Sequence, residues 1–206
     1  MWQEREIPPA DTLYTGTVLK KEKSEGIIIS IFVNGVRIVI RPVEQSPKLR
    51  NMTSLYLVSD DRVLCLYRVG SKVADRMYIG SAGGHFEKEE LNDPCACVLR
   101  EMREELGLGE TDIHDLRLRY ITHRLKNGEI RQNYYYFARL NGERELTSTE
   151  GTLRWVAYED IPALNMPVSA KHMILHYLQE GRFTDELYAG ITEESGTNFV
   201  VMREFA

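Results

Sequence analysis

The sequence predicts an α/β (α+β) chain, built on a β-rich sheet with two helices and a short all-β extension at the N-terminus. Three observations carry this reading. Apolar residues recur at helical spacing in two stretches, 94–106 and 169–179. Elsewhere they gather in short β-branched and aromatic runs bounded by turn residues. Near the N-terminus two such runs are joined by Asn34-Gly35, a strong hairpin signal because both central residues must take positive φ.

In chain order, Ile27–Val33 and Val36–Arg41 are the strands of that hairpin, and Leu13–Lys20 adds a third. Residues 44–51, with Pro47, read as an exit linker. We therefore expect residues 1–48 to form an N-terminal β extension and residues 49–206 the main domain. The extension carries no catalytic grouping. Its expected role is packing or homodimer formation, since an exposed strand edge invites pairing with another chain, with participation in the substrate pocket as the alternative. Met52–Val58 and Arg62–Tyr67 follow as strands across a Ser59-Asp60-Asp61 turn. Leu116–His123 and Arg131–Arg139 flank a Lys126-Asn127-Gly128 turn, and Glu150–Val156 leads into a further strand. Ser169–Gln179 is the last helix, with Ser169 near its cap and Ala170, Met173, Ile174, Tyr177 and Leu178 on its buried face. Phe183–Tyr188 and Phe199–Met202 are expected to close the sheet around Glu193–Gly196.

The central helix has clear ends. Asp93 reads as the N-cap, Pro94 as the first helical residue and Gly107 as the stop. Ala96, Leu99, Met102 and Leu106 fall on one side, and Glu101, Glu104 and Glu105 on another. Three like charges on one face repel. Arg100 and Arg103 compensate in part, and a hard divalent cation does so better, because Mg²⁺ prefers carboxylate and phosphate oxygens.

Composition narrows the functional classes. With 43% hydrophobic and 28% charged residues, the chain fits a soluble globular protein. It has no apolar run long enough to span a membrane, and its start lacks the pattern of a secretory signal. Three cysteines without a CxxC pair suit a reducing, cytoplasmic setting. The net charge of −5 argues against a nucleic-acid polymer as partner. A small phosphorylated ligand remains compatible, because bound metal neutralises it locally.

The stretch from Gly83 to Leu108 resembles the Nudix box of MutT-like hydrolases, G-x5-E-x7-R-E-U-x-E-E-x-G-U, where U is a bulky aliphatic residue. Gly84, Glu90, Arg100, Glu101, Met102, Glu104, Glu105, Gly107 and Leu108 occupy its positions. One departure stands out: nine residues, rather than seven, separate Glu90 from Arg100. Loops absorb insertions better than helices, so the helix keeps its register and Glu90 is treated as secondary. The resemblance implies a mixed sheet sandwiched between helices and a metal-dependent hydrolase of a nucleoside diphosphate-linked compound.

For the site, the expected metal ligands are Glu101, Glu104 and Glu105, with Mg²⁺ or Mn²⁺ as cofactor. The resemblance adds the Gly83 carbonyl, and Glu150 either as a further acid near the metal or as a contact to the purine. Glu104 and Glu105 are both eligible as the base, and Arg100 is expected to orient a glutamate. Arg68, Lys72 and Arg76, just before the box, are candidates to attract a triphosphate tail. Tyr135, within Tyr134–Tyr136, is the candidate wall of a base pocket. His85 is read as structural.

The expected substrate is a small nucleotide. No proline lies between Pro94 and Pro162, whereas relatives that cleave ADP-ribose tend to carry one some fifteen residues past the box. The EGTLRWV segment and the closing strand pair resemble the branch that hydrolyses oxidised purine triphosphates such as 8-oxo-dGTP. The alternatives are another nucleoside diphosphate derivative, or a non-enzymatic ligand sensor, against which the intact glutamates argue.

Overall fold

The computed structural model describes residues 47–70 and 75–203, together with the backbone of four strands nearer the N-terminus. The chain divides into two compact units, Met1–Pro47 and Lys48–Ala206. The first unit is an antiparallel sheet of β1 (Gln3–Arg5), β2 (Val18–Lys23), β3 (Gly26–Val33) and β4 (Val36–Ile40), in that order. The two strands expected beside residues 34 and 35 pair with Val33 opposite Val36. Asn34 and Gly35 themselves lie outside the described residues, as do residues 13–17 of the expected third strand.

The second unit contains β5 (Lys48–Val58), β6 (Arg62–Arg68), β7 (Met77–Ile79), α1 (Pro94–Leu106), β8 (Ile113–Lys126), β9 (Glu129–Leu140), β10 (Thr152–Ala157), α2 (Val168–Gln179), β11 (Tyr188–Thr192) and β12 (Thr197–Val201). Its sheet runs β10-β6-β5-β9-β8-β11-β12, with β7 attached to β6. The β5–β9 and β8–β11 pairs are parallel and the others antiparallel, so the sheet is mixed.

Alternation along the strands builds two cores. Leu55 and Leu57 face α1 and join Val98, Met102 and Leu106. Tyr56 and Val58 face α2 and join Met173, Ile174 and Tyr177. The sheet is thus sandwiched between the helices. Among the described residues, no helix is long and apolar enough to cross a membrane.

Helix α1 has the expected ends. The Asp93 carboxylate accepts a bond from the Ala96 N–H at 3.0 Å, and Gly107 takes a left-handed φ of 66°. Its buried face differs in detail: Cys97 and Val98 are buried, while Ala96 is exposed. Helix α2 starts at Val168, after a Pro167 cap that offers no side-chain bond, and Ser169 is buried inside the helix rather than capping it.

Two other expectations are corrected. Residues 48–51 are not linker, because they extend β5 and pair in parallel with Glu129–Gln132. The Lys126–Glu129 hairpin carries that pairing outward: Asn127 (φ 53°) and Gly128 (φ 73°) both take the positive φ its turn demands. The closing strand begins at Tyr188, not Phe183. The carbonyls of Gly181, Thr184 and Glu186 accept bonds of 2.7–3.1 Å from the buried Arg119 guanidinium, so this segment wraps a cation instead of pairing with a strand.

One irregularity positions the site. Strand β5 pairs with β6 only at Leu57 and Val58. The rest of that edge is taken by residues 81–86. Ser81 donates to Leu55 O at 2.7 Å, Leu55 to Ala82 O at 2.7 Å, Thr53 to Gly84 O at 2.9 Å and Phe86 to Asn51 O at 3.3 Å. The buried Ser81 hydroxyl spans the split, accepting from Leu57 N at 2.9 Å and donating to Leu64 O at 2.7 Å.

Candidate active site

The glycine pair lies against β5 because nothing larger fits. A Cβ on Gly83, whose φ is 147°, would run into the Thr53 carbonyl. A Cβ on Gly84 would run into the Glu101 carboxylate. The backbone therefore approaches the glutamate face of α1 directly, and the Gly83 N–H donates to Glu105 at 2.9 Å. This contact explains why that face is not a solvated stripe. The Glu101 side chain retains only 12% of its exposure, while Glu104 keeps 59%.

Arg100 is the hub of the acid cluster. Its Nε and Nη2 grip Glu90 at 2.7 and 3.0 Å. Its Nη1 donates to Glu101 at 2.9 Å and to Glu104 at 3.0 Å, and Nη2 also reaches the His85 carbonyl at 3.1 Å. Glu90 is therefore more than secondary. It is buried, forms a fork-to-fork pair with Arg100, and accepts from the Glu87 N–H at 2.8 Å. The two extra box residues fall in the turn after the short 3₁₀ segment Lys88–Glu90 and leave this pair intact. The motif itself held the signal, since it specifies both a glutamate and an arginine.

The acids are tuned in opposite directions. The bonds from Arg100 hold the Glu90 carboxyl down at about 2. Burial pushes Glu105 up to about 7, against the Gly83 bond, and the nearby charges of Glu101 and Glu150 add to the rise. Burial also raises Glu101, although Arg100 opposes it. Glu150, just ahead of β10, is ion-paired with Arg68. Both act on Glu105 through their charge, so β10 and the end of β6 bring them to the same cluster.

The remaining candidates separate. Arg76 is 79% exposed and lies beside Asp75, and Lys72 is outside the described residues. Tyr135 is 2% exposed, in the α2-side core near Tyr56, so it lines no open wall. Strand alternation puts its neighbour Tyr134 on the other face, where it packs on Phe86 with ring centroids 5.3 Å apart. His85 bridges to Met52, and burial with the charges of Arg50 and Arg131 lowers its pKa. A separate cavity of about 700 Å³, lined by Val58, Arg62, Arg139 and Trp155, lies toward the other end of β6. Its Arg62 and Arg139 are already paired with Asp61 and Asp60.

Among the described residues, no three acids, histidines or cysteines converge at metal-ligand spacing as they stand. The donor chemistry nevertheless fits a hard cation. Two carboxylates are held above their ordinary pKa in a partly buried cluster, and the glycine pair leaves backbone close beside them.

The sequence profile of the NUDIX domain matches residues 48–177. Among solved structures, the chain is similar to the MutT protein of Bacillus halodurans, with 22% identity and a TM-score of 0.53, covering 75% of this chain and 99% of that one. It is similar to a NUDIX hydrolase of Nitrosomonas europaea, with 14% identity and a TM-score of 0.57, covering 86% and 94%. A MutT NUDIX hydrolase of Burkholderia pseudomallei shows 22% identity and a TM-score of 0.51, covering 62% and 97%. No curated protein sequence matches. With the domain match spanning more than half of the chain and the box residues gathered around Arg100 and Gly83, the protein belongs to the Nudix family, the pyrophosphohydrolases of nucleoside diphosphate-linked compounds.

Proposed function

We propose that the chain hydrolyses a nucleoside triphosphate, of the oxidised-purine 8-oxo-dGTP kind, to the monophosphate and pyrophosphate with Mg²⁺, for which Mn²⁺ can substitute. The observation that carries the chemistry is Glu105. It is the partly buried carboxylate that accepts the Gly83 N–H at 2.9 Å, beside Glu101 and the glycine backbone, where it can receive a proton from the attacking water. The substrate rests on the sequence: no proline between Pro94 and Pro162, and the EGTLRWV segment.

Glu101, Glu104 and Glu105, with the Gly83 carbonyl and Glu150, would hold the cation. When bound, it neutralises phosphate oxygens and makes water more acidic. Glu105 takes the proton of the attacking water as the new P–O bond forms and the anhydride P–O bond breaks, and the departing phosphate leaves with the bond's electrons. Arg100 fixes Glu101 and Glu104 through its Nη1 and is itself fixed by Glu90. Arg68, which pairs with Glu150, would meet the phosphate chain. Residues 1–48 act as an N-terminal extension that favours a homodimer in the cytoplasm.

The test is a nucleotide panel with Mg²⁺ and separated products. Oxidised purine triphosphates should be hydrolysed fastest, to monophosphate and pyrophosphate, with activity lost in chelator and restored by Mg²⁺ or Mn²⁺. Full turnover in metal-free buffer would overturn the mechanism, and preference for a dinucleotide or sugar nucleotide would overturn the substrate.

A further inference from the structure

Three adjacent strands bring like charges into register at their outer ends. Arg50 of β5 stands opposite Arg131 of β9, and Arg131 stands opposite Arg124 of β8. One row further out, Lys48, Glu129 and Lys126 face one another in the same way. Residues two apart share a face. Counting from the buried Tyr56, Tyr135 and Tyr120, both rows lie on the α2 side of the sheet, beyond the aromatic core.

Like charges directly opposite one another across strands are destabilising, and this patch does little to relieve them internally. Its one carboxylate, Glu129, is shared at 3.6 Å with Arg50 and 3.5 Å with Arg131. These are long contacts for charge-assisted bonds. The Arg131 Nε is buried with no hydrogen-bond partner among the described residues. Among the described residues, Arg124 forms no ion pair within 4 Å. Five cations and one carboxylate thus occupy three strand ends, in a chain whose net charge is −5.

We propose that the Arg50–Arg131–Arg124 row is an anion site for an oligophosphate group. The row spans two strand spacings, on the order of 10 Å. That suits a few linked phosphates, and the acidic chain as a whole disfavours a nucleic-acid polymer. Guanidinium forks match phosphate oxygens bidentately, and the Arg131 Nε has no acceptor among the described residues. The row lies across the sheet from α1 and connects to the acid cluster around the β5 edge. His85 bridges to Met52, two residues along β5 from Arg50, and its carbonyl accepts from Arg100. The ligand is therefore either the far end of the nucleotide being cleaved or a separate phosphorylated molecule. The site goes beyond the hydrolytic reading and does not rest on it.

The test uses the full chain in chelator, where the carboxylate cluster repels phosphate. Inorganic tripolyphosphate is titrated calorimetrically into wild type, Arg124→Gln, and Arg50→Gln/Arg124→Gln. Wild type should bind, more weakly as salt rises, and the double variant should bind at least about tenfold more weakly. If the double variant melts early, Arg124→Gln alone should show a smaller loss in the same direction. In Mg²⁺, a raised KM for the hydrolysed nucleotide at unchanged kcat identifies the ligand as part of the substrate. Unchanged KM with lost tripolyphosphate binding identifies a separate ligand. No binding by wild type, or equal binding by all three proteins, overturns the site. Because the titration reads binding without turnover, its result is independent of the hydrolytic reading.

Discussion

Glu90 and Glu105 lie at opposite ends of one box and show two ways of burying a carboxylate. Glu90 is gripped by both arms of Arg100 and by a backbone N–H, and its pKa falls to about 2. Glu105 has one backbone bond, acidic neighbours and partial burial, and its pKa rises to about 7. The first arrangement is compensated and holds the loop on the helix. The second leaves unfavourable charge that a cation or a proton can relieve, which is how catalytic groups are commonly kept ready.

The sharpest way to break this contrast is Glu105→Gln. Turnover with Mg²⁺ should fall by about 10²- to 10³-fold, while the metal-free protein should melt at a higher temperature, because a poorly compensated charge has gone. An unchanged rate would place the base elsewhere, and a lower melting temperature would remove the strain argument. Arg100→Ala attacks the other end. It leaves Glu90 buried and unpaired and should cost about 3 kcal/mol in denaturant unfolding. Adding Glu90→Gln should recover part of that loss, and additive effects of the two changes would show the pair to be uncoupled.

Gly84→Ala probes the seam between the two ends. Its Cβ must displace the Glu101 carboxylate. We expect kcat to fall by about tenfold, the scale of a small misplacement, with little change in melting. The smallest effect is on metal-free stability as a function of pH, where the two acids have opposite signs. Glu105 holds its proton more tightly when folded, so its contribution declines as pH rises from about 4.5 to about 7. Glu90 is depressed when folded, so its contribution is present above about 4.5 and is lost as pH falls toward about 2. Glu105→Gln should flatten the upper limb and Glu90→Gln the lower. Parallel shifts of both limbs in both variants would count against separate roles.

Local chemistry made some of this legible in the sequence. Asp93, Pro94 and Gly107 mark the ends of α1 because caps act over a few residues. The Asn127-Gly128 turn follows from backbone preference in the same way. What the sequence hid depends on distant partners. Ser169 looks like a cap until Pro167 takes that position. The strand expected at Phe183 is lost to Arg119, more than sixty residues earlier in the chain. Tyr135 and Tyr134 look alike as neighbours in an aromatic run, and only the register of β9 against β5 and β8 decides which ring turns toward the box. Glu90 lies two residues off the box spacing, which assumes a fixed path, whereas the guanidinium of Arg100 reaches it across a longer turn.

The shared edge of β5 also sets how the site can open. Residues 81–86 are held to β5 as rungs of a sheet, through the amides of Thr53, Leu55, Ser81 and Phe86. Amide hydrogen exchange at these four positions therefore reports release of the glycine pair without any ligand or turnover. If they exchange together, and more slowly than the amides of exposed turns, the backbone beside Glu105 moves only when that sheet edge unzips. Access to the carboxylates would then follow the slow clock of local unfolding rather than the fast clock of a loop.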